Sequence, residues 1–122
     1  MIPAPPSFRP DASWFGARLH GLRAAGLVRL DDVELLGLAE ALAGTEADAI
    51  ELVGSRVDAT ARGGDIDLLV MTAAPSLETA RRISNRFFAR CEERIDVIVI
   101  DPLRMTAAQE AFVSQLRRVR VA

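Results

Sequence analysis

The apolar positions of this chain change period several times, and each change marks an element. Leu35, Leu38, Ala39 and Leu42 recur at helical spacing. Asp31 precedes them with Glu34 three residues on, the signature of a capping box, so a helix is predicted from Asp31 to near Gly44. Ala49 to Val53 is short, apolar and partly β-branched, which predicts a first strand ending at Gly54. A polar, glycine-containing connection from Arg56 to Gly64 leads to a second strand, Asp65 to Met71. Ser76 is the expected cap of a further helix, with Leu77, Ala80, Ser84, Phe87 and Cys91 on its buried face and Arg82, Arg86 and Arg90 on a solvated one. A third strand is predicted from Arg94 to Ile100, closed by Asp101-Pro102. Thr106 and Gln109 form a second capping box, opening a last helix that buries Ala108, Phe112, Leu116 and Val119.

Earlier in the chain the pattern is weaker. Trp14, Phe15, Leu19, Leu22 and Leu27 are interrupted by Gly16, Gly21 and Gly26, which predicts only a short helix within Ser13–Leu30. The Pro-rich start reads as an extended arm. The reading is therefore an α+β domain over 31–122, a small mixed β-sheet flanked by helices and covered on one face. Residues 1–30 form an N-terminal arm and short helix in front of it.

Composition narrows the class. The chain has 122 residues, half of them hydrophobic, which suffices for one core. Net charge is −2 with both signs interspersed, so no direct nucleic-acid binding is expected. All fifteen basic residues are arginine, as a biased genome alone would produce. Cys91 has no cysteine partner and no metal-ligand spacing around it, and it reads as a small core residue of a reducing compartment. The start lacks the basic and apolar regions of a signal peptide, and no run has the length of a membrane span; a cytoplasmic protein without a membrane association is expected. His20, the single histidine, reads as a surface or packed side chain.

Candidate chemistry sits on the strands. Asp65 and Asp67 are alternate residues of one strand and therefore share a face. Two carboxylates so close repel unless a cation lies between them. Asp96 lies between Ile95 and Val97 in an otherwise apolar strand, where a buried acid requires a partner, and a shared metal is the simplest one. Gly54-Ser55, directly after the first strand, is an ordinary turn in isolation; beside such acids it suits phosphate, through backbone amides and a hydroxyl. Gly63-Gly64 permits a tight turn just before the acids.

Gly54-Ser55, the Gly64-Asp-Ile-Asp-Leu-Leu-Val70 segment and the Arg94-Ile-Asp-Val-Ile-Val99 segment resemble the minimal nucleotidyltransferases of the DNA polymerase β superfamily, the small partners of HEPN-domain toxins. The resemblance covers roughly Ala49 to Ile100. It implies a polymerase β-like fold in which Gly54 and Ser55 hold a nucleoside triphosphate. It implies two magnesium ions on Asp65 and Asp67, with Asp96 aiding the metals and deprotonating the acceptor. The stretch from Arg56 to Gly64 is one residue shorter than the family's usual spacing, and Ala61-Arg62-Gly63 falls later than usual.

The implied reaction is transfer of AMP from ATP to a hydroxyl, a tyrosine of a partner HEPN-domain toxin, by a type VII-like antitoxin in a homo- or hetero-oligomeric complex. This chain has no tyrosine of its own to modify. Two alternatives stand beside it: a non-catalytic antitoxin that acts by binding, and a transferase for a small-molecule hydroxyl. The small-molecule enzyme usually carries an additional helical domain, for which this chain has no counterpart.

Overall fold

The computed structural model describes residues 9–122, so most of the segment read as an arm lies outside the described residues. Asp11 opens α1 (Ala12–Ala24) by accepting the Trp14 amide at 2.8 Å. The helix ends at Ala24, and Gly26, at φ +75°, turns the chain away. In α2 (Asp32–Leu42) both halves of the predicted capping box are present. Asp31 accepts the Glu34 amide at 2.7 Å, and the Glu34 carboxylate accepts the Asp31 amide at 2.9 Å. There follow β1 (Ala49–Val53), a 3₁₀ turn (Gly54–Val57), β2 (Ile66–Met71), α3 (Ser76–Phe88), β3 (Ile95–Ile100), α4 (Ala107–Ser114) and β4 (Arg118–Arg120).

The strands form one mixed sheet in the order β3-β2-β1-β4. β1 lies antiparallel to β2 and to β4, whereas β2 and β3 run parallel through the crossover helix α3. The architecture of the described residues is thus α+β, with a small mixed sheet and four helices. Alternation along the strands sorts residues onto two faces. Ile50, Leu52, Ile66, Leu68, Val70 and Ile95 meet α1, α2 and α3 in the main core, together with Phe15, Leu19, Leu38 and Phe87. The opposite face carries a smaller cluster in which Val113 of α4 covers Val53, Leu69 and Ile100. The sheet is therefore covered on both faces, unequally, and not on one as the pattern predicted.

The last helix is shorter than its apolar spacing suggested. It stops at Ser114, and Val119, expected on its buried face, belongs instead to β4, opposite Leu52. Ala108 and Phe112 are exposed, and Val113 is the residue that α4 buries. Three residues of an Arg-Val-Arg edge strand contain too little periodicity to be seen locally. Their place is set by pairing with β1 and by the Arg18 guanidinium of α1, which donates to the Arg120 carbonyl at 3.0 Å.

The buried face of α3 is also rotated from the expected one. Thr79, Ile83 and Phe87 are buried, whereas Leu77 is 61% exposed. Pro75, not Ser76, holds the N-cap position, without a side-chain bond. Arg82, Arg86 and Arg90 are exposed as predicted, but each is also bonded: to the Thr45 hydroxyl, to the Ala43 carbonyl and to Glu40. They tie α3 to the C-terminal end of α2. Truncating Ile83 to Ala is expected to lower the unfolding free energy by about 2–5 kcal/mol in urea titration. Leu77→Ala is expected to stay within about 0.5 kcal/mol of the parent.

Candidate active site

β1 delivers the chain to Gly54, and β2 leaves close beside it. Val53 is the register partner of Asp67 across the antiparallel pair, and Asp67 is the partner of Asp96 across the parallel one. Side chains at paired positions share a face. Asp67 and Asp96 therefore stand side by side on the face that carries the smaller cluster under α4. Asp67 is half-buried and Asp96 is exposed. The buried Asp96 expected from its apolar neighbours is corrected here: β3 is an edge strand.

Gly54 has φ +76°, a left-handed conformation that favours glycine, and a Cβ at this position would lie 2.7 Å from Asp67 Oδ2. Gly64, at φ +85°, is the counterpart on the other side of the loop, where a Cβ would overlap the Ser55 hydroxyl. Both glycines thus leave room for close approach: Gly54 to an acid, Gly64 to Ser55. The Gly54 amide itself donates to the Arg117 carbonyl at 3.3 Å, so of the pair it is Ser55 that presents a side-chain donor.

Burial pushes the Asp67 carboxyl above the usual range, and the charge of Asp96, a hydrogen bond shared with it and the charge of Asp65 all push the same way. Asp65 stands apart from the pair. It precedes the first residue of β2, is exposed, and lies 4.0 Å from Arg94 Nε. Among the described residues no three acidic, histidine or cysteine side chains are gathered as a cation cage. The donor set of the pair is all-oxygen, as hard divalent cations require. A cation between the two carboxylates would relieve that repulsion, and the chemistry of Asp67 and Asp96 therefore fits a divalent metal.

Behind the turn lies a feature that the sequence pattern did not reveal. Arg56 is 7% exposed and Glu34 3%, and the two form a bidentate pair at 2.8 and 2.7 Å. The remaining Arg56 donors reach the Gly64 carbonyl through Nε at 3.0 Å and the Arg29 carbonyl through Nη1, also at 3.0 Å. Burial raises the Glu34 carboxyl, but the hydrogen bonds and charge of Arg56, with the Asp31 amide, outweigh it and leave the group below its ordinary value. The Arg56 guanidinium is raised in turn, chiefly by its bonds to Glu34. Arg29 adds three carbonyl contacts, to Ser55 and Asp58 at 2.8 and 2.9 Å and to Gly63 at 2.9 Å. The available signal for this network was the Glu34 of the capping box, whose second oxygen needed a partner. Arg62 is exposed and takes no part in it.

Two outcomes are expected. Glu34→Ala strands a buried guanidinium and should lower stability by about 3–5 kcal/mol in chemical unfolding. Asp67→Asn removes a carboxyl whose folded form holds its proton more tightly than the unfolded form does. The wild type loses stability as pH rises from the ordinary aspartate range through the raised value. The Asn variant should consequently melt above the parent at neutral pH, and acidification below that range should erase the difference. Comparisons with protein-family models, curated proteins and solved structures yield no match for this chain.

Proposed function

We propose that this chain is a magnesium-dependent nucleotidyltransferase that moves AMP from ATP to a hydroxyl of a partner protein. In the resemblance drawn from its motifs, that hydroxyl is a tyrosine of a HEPN-domain toxin and the chain is the antitoxin. The observation that carries the reading is the pairing of Asp67 with Asp96 across β2 and β3, immediately beside Gly54 and Ser55.

Asp67 and Asp96, with Asp65 turned from Arg94 to join them, are the residues that would hold magnesium. Once bound, the ions would neutralise charge on the attacking and leaving oxygens of an in-line displacement at the α-phosphate that expels pyrophosphate. The protein contributes positioning, which dominates catalysis of phosphoryl-type transfer. Gly54 makes room for the Asp67 carboxylate beside the turn, and the Ser55 hydroxyl would donate to a phosphate. Asp96, on the open edge strand, is reachable by an acceptor hydroxyl from outside and accepts its proton.

A cavity of about 640 Å³ is lined by Thr45, Asp48, Thr72 and Ala74, at the start of β1 and the end of β2. That is the opposite end of the strands from the acids. An acceptor presented by another protein, as the motif resemblance implies, would reach Asp96 from the open edge of the sheet.

A second reading, an antitoxin that acts by binding alone, has Asp65 on its side, which sits beside Arg94 and apart from the pair. The two separate in one assay with α-labelled ATP, magnesium and the protein encoded by the neighbouring gene. Transfer of label to the partner is expected, falling about 100-fold or more in Asp67→Asn, equivalent to about 2.7 kcal/mol of barrier. Tight association of both versions without label would remove the enzyme and leave the binding antitoxin.

A further inference from the structure

We infer that Arg29 is a positioning residue for a polyphosphate-binding loop, a role that rests on the nucleotidyltransferase reading. Arg29 lies outside the stretch that carries the motif resemblance, between α1 and α2. Its guanidinium nevertheless bonds both arms of the 54–64 loop: the Ser55 carbonyl on the outgoing arm and the Gly63 carbonyl on the returning one, with Asp58 between them. The Arg29 amide adds a bond to the Arg56 carbonyl at 2.8 Å.

The consequence lies in the direction of the peptide planes. In a trans peptide the carbonyl of one residue and the amide hydrogen of the next point opposite ways, and no cis bond occurs among the described residues. With the Gly63 oxygen drawn to Arg29, the Gly64 amide hydrogen points away from it. With the Gly64 oxygen drawn to Arg56, the Asp65 amide hydrogen does likewise. The same bonds hold Ser55 against Gly64, where only a residue without Cβ fits.

An anion needs donors turned toward it and carbonyl oxygens turned away. Arg29 gathers three such oxygens on its own side and so fixes that polarity. Arg56 could share this work, but its pairing with Glu34 makes it part of the core; Arg29, only partly buried, is the separable member. A lysine at position 29 keeps the charge but lacks the planar fork that spans several carbonyls.

The test is calorimetric titration with ATP, AMP and inorganic triphosphate, each with magnesium, of wild type, Arg29→Ala and Arg29→Lys, with thermal melts as a check on folding. Arg29→Ala is expected to weaken ATP and triphosphate by about 10–100-fold, the range of one or two charge-assisted hydrogen bonds. AMP binding should change little, so the preference for ATP over AMP falls with it, which general loosening of the fold would not cause. Arg29→Lys should fall between. Unchanged triphosphate affinity and unchanged preference in either folded variant would overturn the inference, as would a wild type that binds no triphosphate. Triphosphate binding that depends on Arg29, without any AMP transfer, would leave the inference standing and remove the transferase. Transfer with a normal ATP preference in Arg29→Ala would do the reverse.

Discussion

The buried ion pair between Glu34 and Arg56 is the contact on which the rest of the molecule depends. Two charges withdrawn from water are tolerated only when geometry and further hydrogen bonds compensate each of them. Here they are compensated from four directions. Glu34 accepts from the Asp31 amide as well as from Arg56, and Arg56 donates onward to the carbonyls of Arg29 and Gly64. One pair therefore joins the start of α2, the connection from α1, the 3₁₀ turn after β1 and the glycine turn before β2. A capping box, ordinarily a device local to one helix end, has become the anchor of a loop.

What that anchor supports is a strained arrangement of opposite character. Asp67 and Asp96 are placed in register, where burial and the charge of Asp96 raise the cost of ionising Asp67. A sheet chosen for stability alone would alternate an acid with an apolar or basic neighbour at such a position. Repulsion concentrated in one open corner, and backed by a paired buttress, is the distribution that the proposed chemistry would call for. The two halves also differ in exposure. The buttress is dry, so its bonds are strong and its groups fixed, whereas Asp96 and Asp65 face water and are free to meet a ligand.

The N-terminal third belongs to this economy of contacts. α1 contributes Phe15, Leu19 and Leu22 to the main core, and its Arg18 holds the last strand. Arg29, just after it, braces the loop that carries Ser55. A segment outside the motif-bearing stretch is thus coupled to the candidate site through backbone carbonyls, a kind of contact that places no demand on the identity of the loop residues it holds.

Local rules accounted for much of this molecule. Hydrophobic period located three strands and four helices, because burial against a core imposes a period of two or 3.6 on any segment that faces it. Both capping boxes were legible, since each is complete within four residues. The acids and the Gly-Ser turn were legible as chemical types in a suggestive order. Tertiary structure alone decided the rest. β4 has one apolar residue between two arginines, and only its pairing with β1 makes it a strand. The face of α3 rotated toward Thr79 and Ile83 because β3 and α2 determine which side is covered. Asp96 is exposed because β3 is an edge strand, and strand order depends on contacts between residues far apart in the chain. Arg56 lay in a polar connection and nothing local singled out Arg29; their partners lie up to 34 residues away, and no local pattern encodes such a distance.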